Sequence, residues 1–89
     1  MLARVGAVLA NMPDRQIQVS GHTDNTGARA TNMRLSAARA KAVETFLQAN
    51  GVSPAQLTSK GFGPDNPVAS NKTAAGRQQN RRVELNRIN

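Results

Sequence analysis

The segment from about Ala28 to Asn50 is the longest run of helical period in the chain, and Gly51 supplies a stop for it. A run of strand period stands on each side. "QIQVSG" alternates Ile17 and Val19 against Gln16, Gln18 and Ser20. "LTSKGFG" alternates Leu57, Ser59 and Gly61 against Thr58, Lys60 and Phe62. Strand, helix and strand with short joints constrain the fold to a βαβ core with a parallel crossover, since strands that run the same way need a long connection back over the sheet.

The remaining elements fit around that core. Leu2, Val5 and Leu9 lie at helical spacing with Gly6 on the same side, and Pro13 ends that first helix. "HTDNTG" carries turn chemistry, and Ser53 and Pro54 open a short helical turn. "PDNPVASNKT" is loop, and Thr73 caps a short helix running through Gln79, which Gly76 weakens. "RRVELNRI" alternates Val83, Leu85 and Arg87 against Arg82, Glu84, Asn86 and Ile88, a final strand. The predicted architecture is a two-layer α/β (α+β) sandwich, a mixed sheet with helices on one face, forming one domain over residues 1–89. An opening helix with no strand before it leaves a sheet edge that natural proteins cover. That predicts either a trimmed domain or a homodimer paired through the exposed edge.

Composition narrows the function classes. The chain of 89 residues is 38% hydrophobic, with two Phe and no Trp or Tyr, so its core is thin. Lys and Arg number 12 against 5 Asp and Glu, a net charge of +7 that attracts polyanions. Outside Arg81 and Arg82 the basic residues are scattered, which reads as a solvated surface. Without Trp or Tyr to stack bases, nucleic acid is not the expected partner. No cysteine and a single histidine leave no metal site, and no cofactor is expected. The apolar run Val5 to Ala10 is too short for a signal peptide, and no run spans a membrane. "SGHTD" offers residue types without the arrangement catalysis needs, so His22 is read as a ring packed at the strand end. "GFGPDNP" lacks the layout of a phosphate loop. Asn80 is read as the anchor of a turn, and Arg82 as the partner of Glu84 on one strand face.

On a helical wheel with Leu35 at zero, Ala42, Phe46, Ala38 and Val43 fall between roughly −60° and +80°. Arg39 lands at roughly +40° and Asn32 at roughly +60°, inside that apolar arc. Arg34, Lys41, Glu44 and Gln48 fall on the far side. A guanidinium in a buried stripe needs a carboxylate or several acceptors. Asp24 is the only acid between Asp14 and Glu44, and it lies in the loop that feeds this helix. Two readings stay open: a plain Asp24–Arg39 salt bridge, or two opposite poles for a zwitterionic ligand at the C-terminal end of a strand.

"GHTDNTG", then "N..LS..RA..V...L" in Asn32–Leu47, then "GFG...P...N.T..GR..NRRVE" in Gly61–Glu84, closely resemble the OmpA C-terminal-like domain family, the OmpA/MotB/peptidoglycan-associated lipoprotein group. The match runs from about Gln16 to Leu85. The resemblance implies non-covalent binding of the peptidoglycan stem peptide through its diaminopimelate, in the periplasm of a Gram-negative envelope, with an outer-membrane-associated parent protein and no catalysis. It assigns the family's key aspartate to Asp24 and its key arginine to Arg39, fifteen residues on. It also places Asn32 in the pocket, Arg81 as a basic residue near it, and Thr23 beside Asp24. Family domains open with a strand before the first helix. Met1 falls within the helix, so the resemblance implies a fragment lacking the family's first strand. The alternatives are a basic adaptor for polyanions and a structural fragment without a ligand.

Overall fold

The computed structural model describes residues 15–88. The expected first helix, Leu2 to Asn11, lies outside the described residues, as does Asp14. Strand β1 is Ile17–His22, helix α1 is Arg29–Ala49, and a 3-10 turn at Pro54–Gln56 leads into β2, Leu57–Gly63. Helix α2, Ala74–Asn80, then precedes β3, Arg82–Arg87. Every strand and helix expected within the described residues is present, with bounds shifted by one or two residues.

The sheet is mixed, with order β2-β1-β3. β1 is central and runs parallel to β2, with Ile17 opposite Leu57 and Val19 opposite Ser59. It runs antiparallel to β3, with Val19 opposite Leu85 and His22 opposite Arg82. A register irregularity between Gly21 and His22 sets His22 against Gly63 and leaves Phe62 as the extra residue. Alternation sends Ile17, Val19 and Gly21 to the α1 side of the sheet and Gln18, Ser20 and His22 to the other.

Helix α1 lies across β1 and β2. Its C-terminal end is closed by the Asn50 Nδ2, which donates to the Phe46 carbonyl at 2.9 Å, and by Gly51 at φ 96°, where a side chain would be strained. Among the described residues the core is formed by Ile17, Val19, Ala40, Leu47, Val52 and Leu57, with Val43, Val83 and Leu85 packed at its margin.

The buried face of α1 differs from the wheel. Its buried residues are Asn32, Ser36, Ala40, Glu44 and Leu47. Arg39 is exposed, and Leu35 and Phe46 are each 40% exposed. The helix is thus turned by about 100° from the largest apolar side chains. Asn32 is buried as expected, Arg39 is not, and Glu44, assigned to the far side, faces inward with its carboxylate 2.8 Å from Lys41 Nζ.

The cause lies in the strands. A Cβ on Gly21 would overlap the Ser36 carbonyl oxygen and lie 2.9 Å from its carbon; one on Gly61 would lie 2.6 Å from Ser36 Oγ and 2.7 Å from Ala37 Cα. Two glycines side by side in β1 and β2 let the helix backbone settle onto the sheet at Ser36. Only small residues fit beneath such an approach, so Ser36 and Ala40 face the sheet there, and Leu35 and Phe46 turn outward. Ser36 Oγ also accepts the Gly63 N–H at 2.9 Å, tying the helix to the end of β2.

Candidate functional site: a carboxylate and an arginine cavity

Asp24 sits just past the C-terminal end of β1, and the loop holding it is tied by its own polar groups. Thr26 N–H donates to Asp24 Oδ1 at 2.8 Å, an Asx turn. Thr23 Oγ1 donates to the Asp24 carbonyl at 2.8 Å, and the Thr23 N–H continues the sheet ladder to the Gly63 carbonyl at 2.9 Å. From the first turn of α1, Asn32 Nδ2 donates to the Thr26 carbonyl at 3.0 Å and lies 3.5 Å from that of Asp24. Buried Asn32 therefore holds the loop against the helix that follows it.

The partner of Asp24 is Arg81. Arg81 Nη1 donates to Asp24 Oδ2 at 2.6 Å, and the carboxylate side chain is only 8% exposed. The Thr26 N–H, and next the guanidinium of Arg81, hold the Asp24 carboxyl below the usual carboxylate range, against the upward push of burial. The Asp24–Arg39 salt bridge left open by the sequence is not formed. Because β3 pairs with β1 so that Arg82 faces His22, the residue before it arrives beside Thr23 and Asp24.

Arg39 instead lines an open cavity of about 390 Å³ together with Arg81, Arg82 and Val83. Among the described residues it has no ion-pair or hydrogen-bond partner. Arg82 is fully engaged: its Nε donates to Glu84 Oε2 at 2.7 Å, Nη1 to the Asn80 carbonyl at 3.2 Å and Nη2 to the Asn66 carbonyl at 3.0 Å. The Arg82–Glu84 pair is the one expected from the strand pattern. Thr23, Asp24, Asn32 and Arg81 thus form one network, and Arg39 joins it through the cavity it shares with Arg81.

The rim is set by the segment between β2 and β3. Asn80, fully buried, accepts the N–H groups of Val68 and Ala69 on Oδ1 at 2.8 and 3.0 Å. Its Nδ2 donates to the Ala69 carbonyl and to Asn71 Oδ1. Thr73 Oγ1 accepts the Gly76 N–H and caps α2, as the sequence suggested. Arg29 forms a forked pair with Asp65, Nη2 to Oδ2 at 2.6 Å and Nε to Oδ1 at 3.3 Å, linking the start of α1 to this segment. Sequence reasoning missed that pair, since nothing in "GPDNP" marks Asp65 apart from its charge.

On the opposite face of the sheet, the buried His22 ring stacks on Phe62 with centroids 5.3 Å apart and planes 8° from parallel. Among the described residues neither ring nitrogen has a hydrogen-bond partner, and Nε2 is 3.7 Å from Glu84 Oε1. Burial, then the charge of Arg82, push the His22 pKa down, against the opposing pull of Glu84.

Fold and site together define an α/β module whose candidate binding surface lies past the end of its central strand and joins one sequestered carboxylate to a cluster of guanidiniums. The chain belongs to the OmpA family, whose model matches residues 1–81. It is similar to the probable lipoprotein YiaD of Escherichia coli (strain K12), 46% identical over 84 residues, covering 94% of this chain and 38% of that protein. It is also similar to the peptidoglycan-binding protein ArfA of Mycobacterium tuberculosis (strain ATCC 25618 / H37Rv), 46% identical over 85 residues, covering 96% of this chain and 26% of that one. Among solved structures, the peptidoglycan-associated lipoprotein from Burkholderia pseudomallei superposes with a TM-score of 0.93 at 34% identity, covering 98% of this chain and 74% of its own. The chain therefore spans well under half the length of the two curated relatives.

Proposed function

We propose that this chain binds peptidoglycan non-covalently, through the diaminopimelate of the stem peptide, and anchors an envelope protein to the cell wall. The free centre of that residue carries an ammonium and a carboxylate. Asp24 takes the ammonium and Arg39 grips the carboxylate through two parallel hydrogen bonds, with Arg81 at the rim. Thr23 and Asn32 hold the loop that presents Asp24. The observation that carries the reading is Arg39, a guanidinium without a partner among the described residues, on a cavity of about 390 Å³ whose neighbour Arg81 already touches Asp24. Support for the wall polymer as target comes from ArfA, described as peptidoglycan-binding, and from the peptidoglycan-associated lipoprotein.

The reading is one of binding, not catalysis. His22, the one histidine, is stacked on Phe62 and buried to 3% exposure, so it cannot meet a substrate proton. No helix among the described residues is long and apolar enough to cross a membrane. The chain acts as a single periplasmic module, with attachment to the outer membrane supplied by the parent protein. β2 and β3 are the outer strands of the described sheet, and copies pair through such an edge; a sedimenting monomer would remove that part.

Titration of the labelled protein with a diaminopimelate-containing stem peptide and with its lysine counterpart tests the site. Saturable shifts at Asp24, Asn32 and Arg39 are expected with the first. The second lacks the side-chain carboxylate and binds weaker by about 1–3 kcal/mol. Asp24→Ala and Arg39→Ala each abolish detectable binding; wild-type affinity in either variant would overturn the assignment. General polyanion binding, favoured by the net charge of +7, separates by salt, since it weakens steeply as salt rises and ignores the diaminopimelate.

A further inference from the structure

Both oxygens of Asp24 are already in use. Oδ1 accepts the Thr26 N–H at 2.8 Å and Oδ2 accepts Arg81 Nη1 at 2.6 Å. With this side chain only 8% exposed and Arg81 already on Oδ2, a ligand ammonium that reaches the carboxylate competes with Arg81 for it. The Arg81 side chain is 45% exposed and lines the same cavity as Arg39, so its guanidinium can turn away from Asp24 without being buried. Arg82 cannot substitute for it, because all three of its nitrogens are held by Glu84, Asn80 and Asn66. Two guanidiniums, Arg39 and Arg81, thus line one cavity; Arg81 is paired with Asp24, and Arg39 has no partner among the described residues.

From this arrangement, and resting on the peptidoglycan reading above, we infer that Arg81 determines specificity for a zwitterionic over a purely cationic side chain by acting as a tethered competitor for Asp24. A ligand with both charges exchanges partners. Its ammonium takes Asp24, and its carboxylate takes the released Arg81 together with Arg39, so every charge ends paired. A lysine-type ligand brings an ammonium alone. It must displace Arg81, and it leaves two unmatched guanidiniums beside each other in one cavity. Discrimination then comes from an element that works against the wrong ligand as well as one that favours the right one. A site made only of Asp24 and Arg39 would lose a favourable contact to lysine-type peptides but would not oppose them.

Arg81→Gln removes the tethered cation while keeping a side chain of similar reach. Isothermal titration of the full chain with the diaminopimelate-type and lysine-type peptides reads the consequence. Wild type prefers the first by about tenfold to a hundredfold. In Arg81→Gln the lysine-type peptide binds more tightly than to wild type, by about tenfold, and the preference shrinks to within about threefold. Arg81→Lys, which keeps a tethered cation, restores the rejection. An equal loss for both peptides, or an unchanged preference, would overturn the inference, since damage to the fold cannot raise one affinity while lowering the ratio. A measurement on wild type guards against a poorly folded variant: the guanidinium resonances of Arg81 shift on saturation with the diaminopimelate-type peptide, and unmoved resonances would also overturn it. Wild type that binds neither peptide defeats the underlying reading. Wild type that prefers diaminopimelate, with the same preference in Arg81→Gln, defeats the role of Arg81 alone.

Discussion

Replacing Gly21 with alanine tests how the helix is seated on the sheet. The added methyl would overlap the Ser36 carbonyl oxygen and lie 2.9 Å from its carbon, and both belong to helix backbone that no rotamer change can move. Relief requires α1 to lift from the sheet by about 1 Å, which opens gaps around Ala40 and Leu47 in a close-packed core. Overpacking of this kind costs about 1–3 kcal/mol, and the struck atom being backbone puts the expected loss near the upper figure, about 3 kcal/mol. For a domain of 89 residues total stability is about 4–13 kcal/mol, so a loss of that size is a large part of it. The melting temperature should therefore fall by about 12–24 °C, read by circular dichroism at the helical band and checked by urea unfolding. Gly27→Ala is the control. Gly27 has φ 85° with nothing near its absent Cβ, so its substitution costs only backbone strain, about 1–2 kcal/mol. A Gly21→Ala loss below about 1 kcal/mol would refute the idea that glycine at this position sets the approach of the helix.

Two further substitutions probe the buried polar groups. Asn80→Ala leaves the Val68 and Ala69 N–H groups without their acceptor and should cost about 3 kcal/mol in urea unfolding, while a loss under about 1 kcal/mol would remove Asn80 as the anchor of the rim. His22 has its pKa lowered in the fold, so the unfolded chain binds the extra proton first, and stability should fall as pH drops below about 6.5 toward the folded pKa. His22→Gln should flatten that slope. Asp24 and Glu84, whose pKa values are also depressed, stabilise the fold above their ordinary values and lose that contribution only at lower pH, as it falls through their folded values, so their acid limb lies below the histidine window.

The strands and helices were legible because each carries its own period. Ile17 and Val19 alternate, Leu57 to Gly61 alternate, and the long helix ends at a glycine. The rotation of that helix was not legible. A wheel weights the largest apolar side chains, whereas the contact is decided by Gly21 and Gly61, residues of other elements that contribute no side chain. Glycine at matched places in two paired strands is the signal that a helix comes close, and it becomes readable only once their register is known. The same limit hid the partner of Asp24. Nearness in sequence favoured Arg39, fifteen residues on, while the antiparallel pairing of β3 with β1 delivers Arg81 from 57 residues away. The motif residues Thr23, Asp24, Asn32 and Arg81 do lie together, and Arg39 shares a cavity with Arg81. The pairing within the group is what the sequence did not show.

Stability and site draw on the same side chains. Among the described residues, buried polar ones outnumber the six buried apolar ones: Ser20, His22, Thr23, Asp24, Asn32, Ser36, Glu44, Gln56 and Asn80. Several of these bond to the backbone of a loop or a strand end, Asn32 to Thr26, Asp24 to Thr26, Ser36 to Gly63, and Asn80 to Val68 and Ala69. These polar anchors fix the loops one at a time, and each anchor is costly to leave unsatisfied. The loops so fixed are those that bear Asp24 and frame the cavity beside Arg81. Preorganising the loops and stabilising the fold are then one requirement. Arg39 stands apart from these anchors, exposed and without a partner among the described residues, on a helix seated by two glycines, which suits the ligand-meeting role proposed for it.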